Sequence, residues 1–424
     1  MHHLLSIFLI FNVGRASALY LSPNGFGRGI NTATMSNIKA EWIKPTIKDD
    51  STCHSPHEQY KNNNKVMVPR SGHVSFTIDN DIYSFGGYGE EVVTSSTGRE
   101  IDVKRYPMNE LWKRSLEGNG LGDWEVVEQN GDIPEERLVS AVSVLNGKAY
   151  LFAGWNPYKR ADHNEILDTI HCFDSKKKEW RKLPITFPDG PTSRHVALPL
   201  PCAYECIIHN HRCTDFIYIF DAITETFTKQ KTQGQAPSSR GLHAACMLGS
   251  FACFFGGANQ SGSMSNEVFL LNTITWEWTK VKMQGDEKLF FDHQSHVPCT
   301  RAAPNLVSFN ETCAILYGGA RTSDHGLVPL DDVWALMINR FSGEGRWELI
   351  KPTVSSTSAQ GEETWLSDEA LPPGRNAATL TNIMADSSIN FEEGDSLSRR
   401  YLLHGGWAPF RKTFVDDYIL KVSI

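Results

Sequence analysis

An all-β fold of six radially stacked, four-stranded sheets is predicted by three observations on this 424-residue chain. A unit recurs six times along it. Each copy holds short runs of β-branched and aromatic residues separated by turn residues, with no long segment of 3.6-residue period. A stray copy of the unit's last strand lies near the N-terminus. A repeat fixes the architecture before any single residue is interpreted. One four-stranded sheet cannot cover both of its faces, and radial stacking lets each sheet cover its neighbour, as in a β-propeller.

Each copy opens with an arginine ahead of the first strand: Arg70, Arg137, Arg194, Arg240, Arg301 and Arg375. The gaps of 67, 57, 46, 61 and 74 residues suit a fixed core unit with loops of variable length. First and second strands are joined by tight turns, clearest at Asn146-Gly147, a strong hairpin signal between apolar runs. The second strand ends on a glycine pair at Gly86-Gly87, Gly256-Gly257, Gly318-Gly319 and Gly405-Gly406, where backbones are expected to approach too closely for a Cβ. Copy two has Ala153-Gly154 there, and the degenerate copy three has His209-Asn210. The third strand starts near an acid: Glu110, Asp168, Asp215, Glu267, Asp332 or Asp417. The fourth carries an aromatic residue suited to packing between sheets: Trp124, Trp180, Phe227, Trp278 or Trp347.

The sixth copy runs from Arg375 through Tyr401–Gly406 to Asp417–Leu420 and reaches Ile424 without its aromatic. Glu41-Trp42-Ile43-Lys44-Pro45 matches the fourth strands Glu179–Pro184 and Arg346–Pro352, so it is expected to be the outer strand of the sixth sheet. That pairing would close the ring and remove two free sheet edges.

The Arg-x-x-His openings (Arg70/His73, Arg240/His243), the glycine pairs and the spaced tryptophans resemble the kelch repeat, over roughly Trp42 to Ile424. The resemblance implies a six-bladed propeller of the galactose-oxidase type, with blades starting near 70, 137, 194, 240, 301 and 375, and makes residues 41–424 one domain.

Residues 4–13 (LLSIFLIFNV) and the Ala16-Ser17-Ala18 that follows read as a signal peptide over 1–18, although no Lys or Arg precedes the apolar run. Residues 19–40 then read as a flexible or presequence segment. A secretory or extracellular destination is expected, with a plastid reached through a bipartite presequence as the alternative. No later segment is apolar enough to span a bilayer. The net charge of −8 argues against a nonspecific nucleic-acid role. The nine scattered cysteines do not make a disulfide framework. In a secretory compartment Asn259-Gln260-Ser261 and Asn310-Glu311-Thr312 would be glycosylation sequons.

In kelch propellers that bind acidic peptides, arginines at the opening position line the channel mouth. The resemblance therefore implies a rim of Arg70, Arg137, Arg194, Arg240, Arg301 and Arg375 suited to a carboxylate or phosphate. The competing reading pairs each arginine with its own blade's acid, about two strand spacings or 10 Å away, as a structural ion pair. Cys202, Cys206 and Cys213, with His209 and His211, hold the residue types zinc prefers but at no standard spacing. Glu287, Asp292 and His296 resemble the iron-binding triad of the plant specifier proteins, which are kelch propellers, with one residue too many between the acids. The copper site of galactose oxidase has no matching spacing.

Second-to-third-strand loops lie on the arginine face. The longest is Tyr88–Met108, and the connection Pro352–Gly374 emerges there too. The insertion Asn382–Arg399 faces the other way. The preferred function is noncatalytic binding of a protein or peptide, acidic in one version, by loops around the channel mouth. A monomer without cofactor is expected. The alternative is a metal-dependent enzyme of the galactose-oxidase or specifier type using Glu287, Asp292 and His296.

Overall fold

The innermost strands alternate in burial, as a period-two pattern dictates: Val74–Ile78, Ala141–Leu145 and Ala244–Leu248 each bury every second residue. The second strands lie deeper, and Cys313–Tyr317 is buried throughout. A computed structural model describes residues 38–45, 61–62, 65–94, 100–117, 120–158, 165–284, 296–357, 363–365, 371–383, 397–409 and 412–424. The predicted signal peptide, nearly all of the presequence segment (up to residue 37), Glu287 and Asp292 lie outside the described residues.

All described regular structure is β-strand, arranged as six blades. Among the described residues no helix is long and apolar enough to cross a membrane. Blade two shows the plan: Ala141–Leu145, Lys148–Asn156, Glu165–Asp174 and Glu179–Thr186 pair antiparallel in sequence order. A fifth short strand, Asn130–Gly131, adds in parallel at the outer edge. Blade three has four strands and lacks this addition. In blade six Lys39–Lys44 pairs antiparallel with Asp417–Ser423, setting Trp42 opposite Leu420. Thr353–Thr357 then runs parallel to Lys39–Lys44 on its other side.

Two sixfold networks hold the blades together. The closing aromatic of each blade packs on the residue ahead of the glycine pair in the preceding blade; in blade three the strand register puts the pair's place at Asn210-His211 rather than the expected His209-Asn210, so that residue is His209. The pairs are Trp180 on Phe85 (5.1 Å), Phe227 on Phe152 (6.2 Å), Trp278 on His209 (5.7 Å), Trp347 on Phe255 (5.1 Å), Trp42 on Tyr317 (5.1 Å) and Trp124 on His404 (4.8 Å). Such ring pairs add about 0.5–1.5 kcal/mol each beyond the area they bury.

The second network is a closed circle of backbone hydrogen bonds. Val139 N–H donates to Gly72, Arg194 to Val139, Leu242 to Arg194, Ala303 to Leu242, Ala377 to Ala303 and Gly72 to Ala377, at 2.7–3.3 Å. All six residues have φ between 48° and 64°. Five of them carry a Cβ, for which this left-handed backbone costs roughly 1–2 kcal/mol; the circle of hydrogen bonds holds them there.

The expected loop Tyr88–Met108 is instead a long hairpin. Asp81–Thr94 and Glu100–Glu117 stay paired out to Thr94 opposite Glu100. The connection after Pro352 forms the strands Thr353–Thr357 and Glu363–Trp365. Most of the insertion Asn382–Arg399 lies outside the described residues.

Candidate functional site on the loop face

Five of the six motif arginines are buried, at 0–6% exposure: Arg70, Arg137, Arg240, Arg301 and Arg375. Each donates from Nη1 to the carbonyl of the first residue of its own glycine pair, or of Ala153 in blade two. Arg301 grips Asp332 through two hydrogen bonds of 2.6 and 2.7 Å. Arg240 reaches Glu267 at 2.8 Å and Arg70 reaches Glu110 at 3.4 Å. Burial opposes the charge on Glu267, but hydrogen bonds from Lys280, Arg240 and Ser265 hold its carboxyl at about 2. Burial lowers Arg70 and Arg137 to about 10.

The other three expected pairs are not formed. Arg137 meets Thr169 at 3.2 Å and Glu135 at 3.9 Å, because a threonine stands at the acid position and Asp168 falls one residue off that face. Arg375 binds Asp416 at 2.6 Å rather than Asp417, since adjacent strand residues point to opposite faces. Asp417 turns into the seam between blades six and one, where it binds Arg114, His404 Nδ1 (2.7 Å) and Trp124 Nε1 (2.9 Å). Arg194 does not pair with Asp215; both side chains are exposed. Its backbone occupies the hydrogen-bonded circle, two residues past the arginine position, which Thr192 fills in blade three. Gly154 N–H donates to Thr192 as Gly87 does to Arg137 and Gly257 to Arg301.

Arg194 is thus left exposed, its guanidinium 5.5 Å from the centre of the Trp155 ring. The blade-one hairpin is braced on both sides. Tyr88 and Tyr158 stack at 6.2 Å with their hydroxyls 2.9 Å apart. Burial and that hydrogen bond push the Tyr88 phenol up to about 12. On the blade-six side Glu90 accepts from Arg105 Nε (2.9 Å) and Thr413 Oγ1 (2.8 Å), and Arg105 lies 5.8 Å from the Trp407 ring. A cleft of about 540 Å³ opens between blades one and two, lined by Lys104, Arg105, Tyr106, Glu135, Glu136 and Tyr158 among others. Sequence reasoning missed Trp155, Tyr158 and Trp407; the signal was an aromatic residue just after, or a few residues past, the glycine pair.

Among the described residues no group of three or more His, Cys, Asp or Glu side chains could hold a metal. Of the specifier-like triad only His296 is described, and it is exposed. Cys206 and Cys213 are buried, and burial pushes the Cys213 thiol up to about 12. His209 turns away from them, its Nδ1 3.1 Å from His243 Nε2.

The KLHDC2/KLHL20/DRC7 Kelch-repeats domain family matches residues 41–199 and 207–367 of this chain. The chain belongs to the kelch-repeat family. Among kelch relatives, Kelch domain-containing protein 2 of Bos taurus is 24% identical over 323 residues, covering 69% of this chain and 73% of its own length. Kelch domain-containing protein 1 of Homo sapiens is 23% identical over 63% of this chain and 66% of its own length. Acyl-CoA-binding domain-containing protein 5 of Arabidopsis thaliana is 24% identical over 59% of this chain, and the match spans 35% of that protein. The solved structure of YjhT shares the fold, with a TM-score of 0.52 at 14% identity, covering 84% of this chain and 98% of its own.

Proposed function

We propose that this kelch propeller is a noncatalytic docking scaffold. Its partner is a protein or peptide segment bearing an acidic group, laid across the loop face of blades six, one and two. The observation that carries this reading is Arg194. It alone of the six motif arginines is exposed, and it stacks on Trp155 beside the Tyr88–Tyr158 pair. A guanidinium held over an aromatic face keeps its donors free for a carboxylate. Tyrosine, tryptophan and arginine are also the residues that dominate interface energetics. The other five motif arginines, turned inward, support the blades.

The test is proximity labelling with the native N-terminus retained, which also reports whether the compartment is secretory, followed by affinity measurement on the purified partner. Arg194→Ala and Tyr158→Ala are expected to weaken binding at least about tenfold each, as interface anchors do, without lowering the melting temperature. Equal affinity for both variants and the wild type would remove the loop face as the docking site. Stoichiometric iron, copper or zinc in the purified protein, lost on Asp292→Asn or His296→Ala, would favour the enzyme alternative instead.

A further inference from the structure

The face opposite Arg194 carries a pattern that the fold does not require. In four successive blades the turn between third and fourth strands is capped in the same way. A side-chain oxygen of Asp174, Asp221, Asn272 or Asn339 accepts from the backbone N–H two residues on, and from the next. The cap fixes the turn and leaves the residue two positions on pointing away from the blade. Any side chain satisfies the backbone there. Blade two places Lys176 at that position, followed by Lys177 and Lys178. Blades three, four and five place Ile223, Ile274 and Phe341, at 67%, 74% and 85% exposure. Three large apolar side chains at consecutive tips lower solubility and stay largely in solvent, Phe341 touching Phe251 edge-on at 6.4 Å, which marks a contact surface.

The charges say which kind. Three acids beside these tips are matched to cations within the face: Asp174 with Lys148 (3.3 Å), Glu225 with Arg181, and Glu311 with Arg340 (2.9 Å). Glu179, Glu277 and Glu344 open the fourth strands three residues behind the tips. The three lysines of the blade-two turn are exposed, and among the described residues none of their ammonium groups has a carboxylate partner. Apolar points spread over three blades of a ring cannot all enter one pocket. They suit a flat, yielding apolar layer, and a run of unmatched lysines at the end of the arc suits an anionic surface above it.

We infer that the propeller docks peripherally on anionic lipid bilayers through this face, with Ile223, Ile274 and Phe341 entering the headgroup boundary and Lys176, Lys177 and Lys178 meeting acidic headgroups. The arginine face then points into solution, open to a partner.

The experiment is co-sedimentation of the full chain with large vesicles of phosphatidylcholine, with and without phosphatidylserine. The wild type is expected to sediment with the mixed vesicles and to be released by raised salt. A triple variant, Ile223→Ser with Ile274→Ser and Phe341→Ser, is expected to partition roughly a hundredfold more weakly. A second variant, Lys176→Glu with Lys177→Glu and Lys178→Glu, should lose the preference for phosphatidylserine. Matching circular dichroism and melting curves confirm that the variants fold. A wild type that stays in the supernatant with mixed vesicles overturns the inference, as does a serine variant that sediments equally well. So does a wild type that self-associates in solution through the same three residues, which would make the face a contact between copies.

Discussion

Asp417 offers the sharpest test of how the ring is held, because one carboxylate serves three groups across the seam between blades six and one. Asp417 and Arg114 are both almost fully buried, and the carboxylate also accepts from Trp124 and contacts His404. Burial works against its charge, but Arg114 and His404 hold its carboxyl below the usual range. Asp417→Asn keeps the shape and removes the charge. Arg114 keeps its hydrogen bond to the Gly122 carbonyl but is left without a counter-ion. Removing one partner of a buried pair costs about 3–5 kcal/mol. For the roughly 390 residues of Ile38–Ile424, with an unfolding entropy near 2.1 cal/mol/K per residue, that is a fall of about 4–6 °C in melting temperature. The double variant Arg114→Met with Asp417→Asn should recover most of the loss, since the cost lies in the stranded charge. Differential scanning calorimetry of the two single variants and the double variant completes the cycle. A single variant melting within a degree of wild type, or a double variant no more stable than Asp417→Asn, would refute the seam's role.

Acid should destabilise the propeller before its carboxylates titrate. Burial holds His195 and His209 down at about 3, and holds His73 and His243 well below 6.5. The unfolded chain therefore binds more protons below about pH 6.5, and stability falls as pH drops, by up to about 1.4 kcal/mol per unit for each such histidine; urea midpoints at pH 7.5 and 5.5 would show it, and a flat profile would contradict it. Gly257→Ala should cost about 2 kcal/mol or more, because a Cβ there would lie 2.8 Å from the Gly241 carbonyl and from His243 Cβ. Gly147→Ala, which meets nothing within 4 Å, should cost only the smaller penalty of its positive φ of 72°. Arg301→Ala should lower the melting temperature by stranding Asp332, whereas Arg194→Ala should leave it unchanged, as thermal denaturation of the two side by side would reveal.

The six-bladed all-β ring was legible because its determinants are residue types at fixed offsets: an arginine, a glycine pair, an aromatic. What escaped the sequence was set by backbone or by strand parity. Arg194 was taken for blade three's opening arginine, but that blade puts Thr192 there. The offset of the histidines held the answer. His73 and His243 each follow their arginine by three, and His195 follows Thr192 by three. Asp416 and Asp417 are neighbours, and only one can face Arg375. The acid facing the arginine stands two residues ahead of an aromatic, as Glu110 does before Trp112 and Asp332 before Trp334, which donate to them at 3.0 and 2.6 Å. By that spacing Asp416 goes with Tyr418. The circle of hydrogen bonds has no signature at all, since Gly, Val, Arg, Leu and Ala all take part through the main chain.

The pairing of Lys39–Lys44 with Asp417–Ser423 has a consequence for biogenesis. Lys39–Lys44 leaves the ribosome about 370 residues ahead of its antiparallel partner Asp417–Ser423. Until then the emerging chain must carry Trp42 and Ile43 unshielded, so this segment is a natural handle for chaperones. A ribosome stalled between Trp365 and Asp417 would leave five sheets assembled and the sixth without its partner strand.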